Sequence, residues 1–276
     1  MLEPLLIVEL AALGTATGFL AGLLGIGGGM LMVPFVTFIL TQRGVASDLA
    51  VKMAIATSMA TIVFTSLSSV RAHHRRGAVR WDLVRRLAPG IVLGALAAGA
   101  GVFRVLSGRW LALLFALFVA FSATQMLRSA ARRPTQGIAA ARGLPGPTGQ
   151  WAAGGLIGFV SGLVGAGGGF ISVPFMTWCN VAMHQAVATS AALGFPIALA
   201  NGLGYLWSGA GVPGRPVGSL GYVFVPALAV IASASVLMAP VGVRVAHALP
   251  VATLKRVFAL LLYGLAFTMA WKAWTG

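Results

Sequence analysis

Apolar runs recur along the chain, divided by short polar and basic stretches. Five of them cover residues 5–24, 29–41, 53–70, 87–103 and 110–127. Five more cover 151–164, 168–182, 185–207, 219–240 and 253–273. Crossing the hydrocarbon core as an upright helix takes about 20 residues. The 29–41 run holds only about a dozen, so it is expected to tilt or to re-enter. Backbone polar groups in lipid must be satisfied within the protein, which favours helices. The pattern predicts an all-α polytopic transmembrane bundle of about eight to ten segments.

The runs fall into two sets because one stretch occurs twice. Residues 18–37 read GFLAGLLGIGGGMLMVPFVT and residues 158–177 read GFVSGLVGAGGGFISVPFMT, at an offset of 140 without a gap. A second local match follows each, Ala56-Thr57-Ser58 and Ala188-Thr189-Ser190. Residues 1–130 are therefore expected to form a first transmembrane repeat and 150–276 a second. A basic linker, 131–149, joins them on the cytoplasmic side. Five segments is an odd number, so the halves would enter the membrane from opposite sides, as inverted repeats. Each repeat would contain a helical hairpin broken at its glycines.

Runs of glycine disfavour a continuous helix and let the backbone take positive φ. Gly25, Gly27, Gly28 and Gly29, and Gly165, Gly167, Gly168 and Gly169, are thus expected to break their segments. Paired breaks at matching places in two halves are the best sequence pointer to a transporter's binding site. A helix restarting after a break offers bare N–H groups and a positive dipole end, which suits an anion. Close packing is the other reading of these glycines. Gly14, Gly18 and Gly22, like Gly154, Gly158 and Gly162, have the spacing that lets helices approach. A nucleotide loop is disfavoured: no GK[ST] follows, and the last glycine of GxGxxG is missing.

Hydroxyls crowd the third run: Thr57, Ser58, Thr61, Thr65, Ser66, Ser68 and Ser69. Its counterpart carries Thr189, Ser190 and Asn201. Such groups can donate to an oxyanion without adding charge, or can bond the preceding turn and glue helices together. Thr57, Ser58, Thr189 and Ser190 join the glycines as expected substrate-binding residues. His73 and His74 are expected to be solvated in a basic loop. His184, at the start of the helix bearing Thr189, is a candidate gate or proton relay. The histidines lack metal-ligand spacing, and no metal or other cofactor is expected.

Composition agrees with a membrane protein: 59% of residues are hydrophobic, 8% charged. A net charge of +15 would suggest nucleic acid in a soluble chain. Here the bases gather between apolar runs and set topology instead, so nucleic acid is not an expected partner. With 71–86, the linker and 241–256 placed inside, thirteen of the nineteen Lys and Arg lie on the cytoplasmic side. Both termini would then face outward. The start of the chain lacks a basic region, so a cleaved signal peptide is not expected. One cysteine, Cys179, excludes an intramolecular disulfide. Only Glu3, Glu9, Asp48 and Asp82 are acidic. None sits mid-run, which weighs against a cation substrate.

The doubled GF-x-x-GL-x-G-x-GGG…VPF motif resembles the sulfite exporter TauE/SafE family of membrane permeases. The resemblance spans nearly the whole chain and includes the Ala-Thr-Ser pair and the basic centre. It implies a permease of the bacterial cytoplasmic membrane that exports or exchanges a small sulfur-containing anion, sulfite or a small organosulfonate. Alternating access around a midplane site would follow from the paired breaks. A passive anion channel of the same fold is the alternative. An enzyme is not expected, since no carboxylate pair, metal cluster or activated nucleophile is visible. The partners expected are the substrate anion and the lipid bilayer; the sequence allows a homodimer.

Overall fold

The structure is a computed structural model that describes residues 4–24, 28–131, 143–246 and 251–275. Its first half holds α1 (Pro4–Leu24), α2 (Gly29–Gln42), α3 (Ser47–His74) and α4 (Trp81–Leu96). A π-helical turn, Ala97–Val102, continues α4 into the short α5 (Phe103–Val105), and α6 (Gly108–Ala131) closes the half. The second half holds α7 (Pro147–Val164), α8 (Gly169–Trp178) and α9 (Met183–Ser208). A small antiparallel hairpin, β1 (Ser219–Leu220) and β2 (Val223–Phe224), precedes α10 (Val225–Ala246) and α11 (Val251–Thr275).

Among the described residues, six helical stretches are long and apolar enough to cross a membrane: α1, α3, α4 through α5, α6, α9 and α10. The outside of the bundle is apolar. Leu5, Val8, Leu117, Leu156, Leu237 and Phe267 are all exposed, as a face turned to lipid requires. Trp81, Trp110, Trp151, Trp207, Trp271 and Trp274 are exposed near helix ends, the position of interfacial anchors. The chain is a polytopic helical bundle, as its hydropathy pattern predicts.

Element edges differ from the apolar runs where helices carry polar first turns. α3 starts at Ser47, so Asp48 and Lys52 belong to it and not to a loop. Asp48 accepts the N–H of Gly108, and Lys52 Nζ lies 3.7 Å from Asp48 Oδ2. A carboxylate in the first turn also complements the helix dipole. α4 likewise starts at Trp81, which cuts the basic loop to residues 75–80. The 219–240 run opens as the hairpin. Most of the 131–149 linker lies outside the described residues, as do Gly25, Gly27 and His247.

The halves are interleaved. α1 packs most extensively on α10, and α7 on α4, so each half's first helix lies against the other half's fourth. α3 and α9 cross at the centre, while α6 lies along α11. Glycines make the exchanged contacts close. A Cβ on Gly14, Gly18 or Gly22 would run into the backbone of Ile231, Ser235 or Ala239 on α10. A Cβ on Gly154 or Gly158 would run into Leu87 or Ile91 on α4. For these glycines the close-packing reading holds.

Candidate functional site

The glycine clusters do something else. Gly28 (φ +68°) and Gly168 (φ +76°) are left-handed residues that start α2 and α8. Gly165 (φ +75°) is the left-handed residue that ends α7. An L side chain is strained in that conformation, so glycine is what permits the turn. The two breaks touch. A Cβ on Gly29 would overlap the carbonyl oxygen of Gly165. Ser58 seals the junction: its Oγ lies 3.0 Å from Gly165 O and 3.4 Å from Gly29 O. The two interruptions, 136 residues apart by the numbers of Gly29 and Gly165, thus meet beside α3.

The paired threonines hold backbone. Thr57 Oγ1 accepts the N–H of Phe224 at 3.0 Å, just before α10. Thr189 Oγ1 accepts the N–H of Arg80 at 3.0 Å, just before α4. Each central helix therefore satisfies one donor at the mouth of the other half's fourth helix. Both hydroxyls are fully buried, and an N–H left unpaired there would cost about 1–3 kcal/mol. The two contacts match in kind and in length. Ser190 differs from Thr189: its Oγ accepts from Ser172 Oγ at 2.8 Å and lies next to open space.

That space is a small cavity between α3 and α9. Ala21, Thr65, Ser66, Ser69, Gly167, Ser190, Ala191 and Gly194 line it. Its volume, about 10 Å³, is that of roughly one water. Thr65 and Ser66 donate to Thr61 O (3.1 Å) and Val63 O (3.1 Å). Ser69 is 2% exposed, and its Oγ has no hydrogen-bond partner. A buried hydroxyl in that state is unstable unless something enters to meet it. Gly167 brings the second glycine break to the cavity wall, two residues before α8 begins. No lining side chain is ionisable.

Of the residues that sequence predicts to bind substrate, the cavity wall gathers Gly167 and Ser190. Gly29, Gly165 and Ser58 form the adjoining junction, while Gly28 packs on Thr17, Gly168 on Ile197 and Ile157, and Gly169 begins α8. Thr57 and Thr189 point to the helix mouths. Sequence reasoning did not assign Thr65, Ser66 and Ser69 to the site. A signal was present: Thr57, Thr61, Thr65, Ser69 and His73 recur every fourth residue, one buried stripe along α3. His73 is 2% exposed in the last turn of α3, where a solvated loop residue was expected. His74 is exposed and meets the Trp81 ring edge-on. His184 is exposed in the first turn of α9 and does not line the cavity.

The matching place in the second half is filled. By the repeat offsets, Ser161 corresponds to Ala21, Asn201 to Ser69 and Tyr205 to His73. Asn201 Nδ2 donates to Ile197 O (2.9 Å) and Gly158 O (3.4 Å). Tyr205 donates to Gly162 O and packs against Phe103, ring centroids 4.4 Å apart. Tyr222 closes the outer side, 5.6 Å from Phe103, with its N–H on Tyr205 O. Burial raises the Tyr222 phenol above its usual range, and nearby Asp48 adds to that. The π-helical turn packs here too, Gly99 against the backbone of Asn201 and Gly204.

Fold and site together define a multi-pass helical membrane protein of transporter architecture: apolar outside, interleaved halves, two broken helices meeting at a buried polar cavity. A family model described as sulfite exporter TauE/SafE matches residues 10–269. The chain belongs to that family. It is 36% identical to a probable membrane transporter protein of Haemophilus influenzae, over 94% of this chain and 96% of that one. It is 28% identical to a probable membrane transporter protein of Methanocaldococcus jannaschii, over 89% and 86% of the two chains. No solved structure matches.

Proposed function

We infer that the protein is a permease for a small sulfur-containing anion, sulfite or a small organosulfonate, working by alternating access at the cavity between α3 and α9. The observation that carries this reading is the cavity wall: hydroxyls and glycine backbone where two helix breaks converge, with no carboxylate to repel an anion. Membership of a family described as sulfite exporters supports the anion, and relatives described as probable membrane transporters support transport. In this conformation the cavity is closed down to about one water, as an occluded state between two openings would be. The interleaved halves supply the two bodies that move against one another.

The membrane is the bacterial cytoplasmic one, with the basic 75–80 loop inside and both termini outside. Arg71, Arg75 and Arg76, exposed at the end of α3, concentrate anions at that mouth. An anion leaving a cell with a negative interior gains about 2.3 kcal/mol per charge per 100 mV, so export needs no coupled ion. Counterflow of radiolabelled sulfite in proteoliposomes tests the function. Saturable, trans-stimulated flux that follows imposed voltage is expected. Flux that ignores voltage and tracks a proton gradient would contradict uncoupled export.

A further inference from the structure

We propose that the cavity takes its anion with a single negative charge: for sulfite, the hydrogen sulfite monoanion and not the dianion. This rests on the permease reading above and adds a rule about charge. Its first support is the unpartnered Ser69 Oγ, buried and on the cavity wall beside Thr65, Ser66 and Ser190. Ser69 has an O–H to offer, whereas Thr65 and Ser66 spend theirs on Thr61 O and Val63 O and can only accept; none of them brings a counter-charge. Desolvation cost grows with the square of the charge, so a dianion entering a site without a cation costs about four times what a monoanion does.

Among the described residues, no Lys or Arg lines the cavity. On α3 the nearest titratable group is His73, one turn beyond Ser69. Arg76 is exposed, and its guanidinium donates to Val243 O at 3.2 Å. α1 contributes only Glu9 within its described length, exposed and about three turns from Ala21. On α9 the titratable groups are His184, exposed at the start, and Tyr205, bonded to Gly162. α10 contributes Arg244, exposed in its last turn. What positive potential there is comes from helix starts. α8 begins two residues past Gly167, and α2 begins at Gly29 against Gly165. The α8 start, two residues past Gly167 on the cavity wall, is worth about half an elementary charge, well short of what a dianion carries. One free hydroxyl donor beside the accepting lone pairs of Thr65 and Ser66 also suits an anion that itself carries a proton and can donate to them.

Thermal shift of the purified full-length protein, with one anion at a time, tests the rule. At a single pH near neutrality, chlorate, a pyramidal monoanion, is expected to stabilise the protein at concentrations about tenfold or more below those needed for sulfate or thiosulfate. With sulfite itself, titrations are run on both sides of its second ionisation. The apparent dissociation constant is expected to be unchanged when counted as monoanion and to rise with pH when counted as total sulfite. The same titrations on His73→Gln separate substrate protonation from protein protonation; if that variant does not fold, the chlorate and sulfate comparison at one pH decides alone. Sulfate binding as tightly as chlorate, or a constant that holds per dianion, overturns the charge rule and leaves the permease reading standing. If no anion of either charge shifts the melting temperature, the anion-permease reading falls and the rule with it.

Discussion

Ser69 and Asn201 occupy matching places in α3 and α9, and Ala21 and Ser161 match in α1 and α7. The backbone around them repeats, but the filling does not. On the Ser69 side the side chains are short, and a cavity remains. On the Asn201 side an amide, a phenol and two further aromatic rings occupy the space. Both places are polar: Ser161 Oγ and Asn201 Oδ1, like Ser69 Oγ, are buried without a partner. A repeat can thus deliver two equivalent polar spots while side-chain volume decides which one has room.

The largest effects should come from the two helix starts. A Cβ on Gly28 would meet the backbone carbonyl of Thr17, which cannot step aside. A Cβ on Gly168 would meet the far end of Ile197, which can. Both positions add about 1–2 kcal/mol of left-handed strain. Gly28→Ala should therefore lower the melting temperature in detergent far more than Gly168→Ala, and equal losses would break the contrast. Gly168→Leu should abolish flux with folded protein still in the membrane; wild-type flux would remove the glycine break from the mechanism.

Hydrogen-bond losses come next. Thr57→Val orphans the buried N–H of Phe224 and should cost about 1–3 kcal/mol, while Thr189→Val orphans the part-buried N–H of Arg80 and should cost less. A larger loss for Thr189→Val in thermal stability would contradict this order. Asn201→Ala should cost about 1–3 kcal/mol, since two acceptors lose their donor. Ser69→Ala removes a buried hydroxyl that bonds nothing in this state, so it should leave stability unchanged or raise it by up to about 1–3 kcal/mol. Its sulfite flux should nevertheless fall. A destabilised Ser69→Ala with normal flux would reverse the assignment of the two sides. Smallest of all, Arg71→Gln with Arg75→Gln should raise the half-saturating sulfite concentration about two- to threefold at low salt, and hardly at all at high salt.

Much of the architecture was legible in the chain. The triple glycines announced the breaks at Gly28 and Gly168. Apolar run length alone located the long helices. It missed helix starts such as Ser47 and Trp81, because a polar first turn reads as loop when only hydropathy is scored. The site was legible in part. Gly167 and Ser190 could be picked out since they lie in repeated motifs. Ser66 and Ser69 could not be picked out that way, since their counterparts are Ala198 and Asn201. Ala21, Thr65, Ser66 and Ser69 line the cavity where the repeat is broken, so a search for repetition passes over them. Thr57 and Thr189 repeat for another reason, the shared need to satisfy an N–H before α10 and α4.

The claim that the hollow beside Ser69 holds the anion is tested most directly by filling it with the other half's residues. Equilibrium binding of radiolabelled sulfite is measured on purified wild type and on the double variant Ala21→Ser with Ser69→Asn, after both are shown to be monodisperse and helical. The account predicts saturable binding by the wild type and none by the filled variant. Undiminished binding to a folded double variant would place the anion elsewhere.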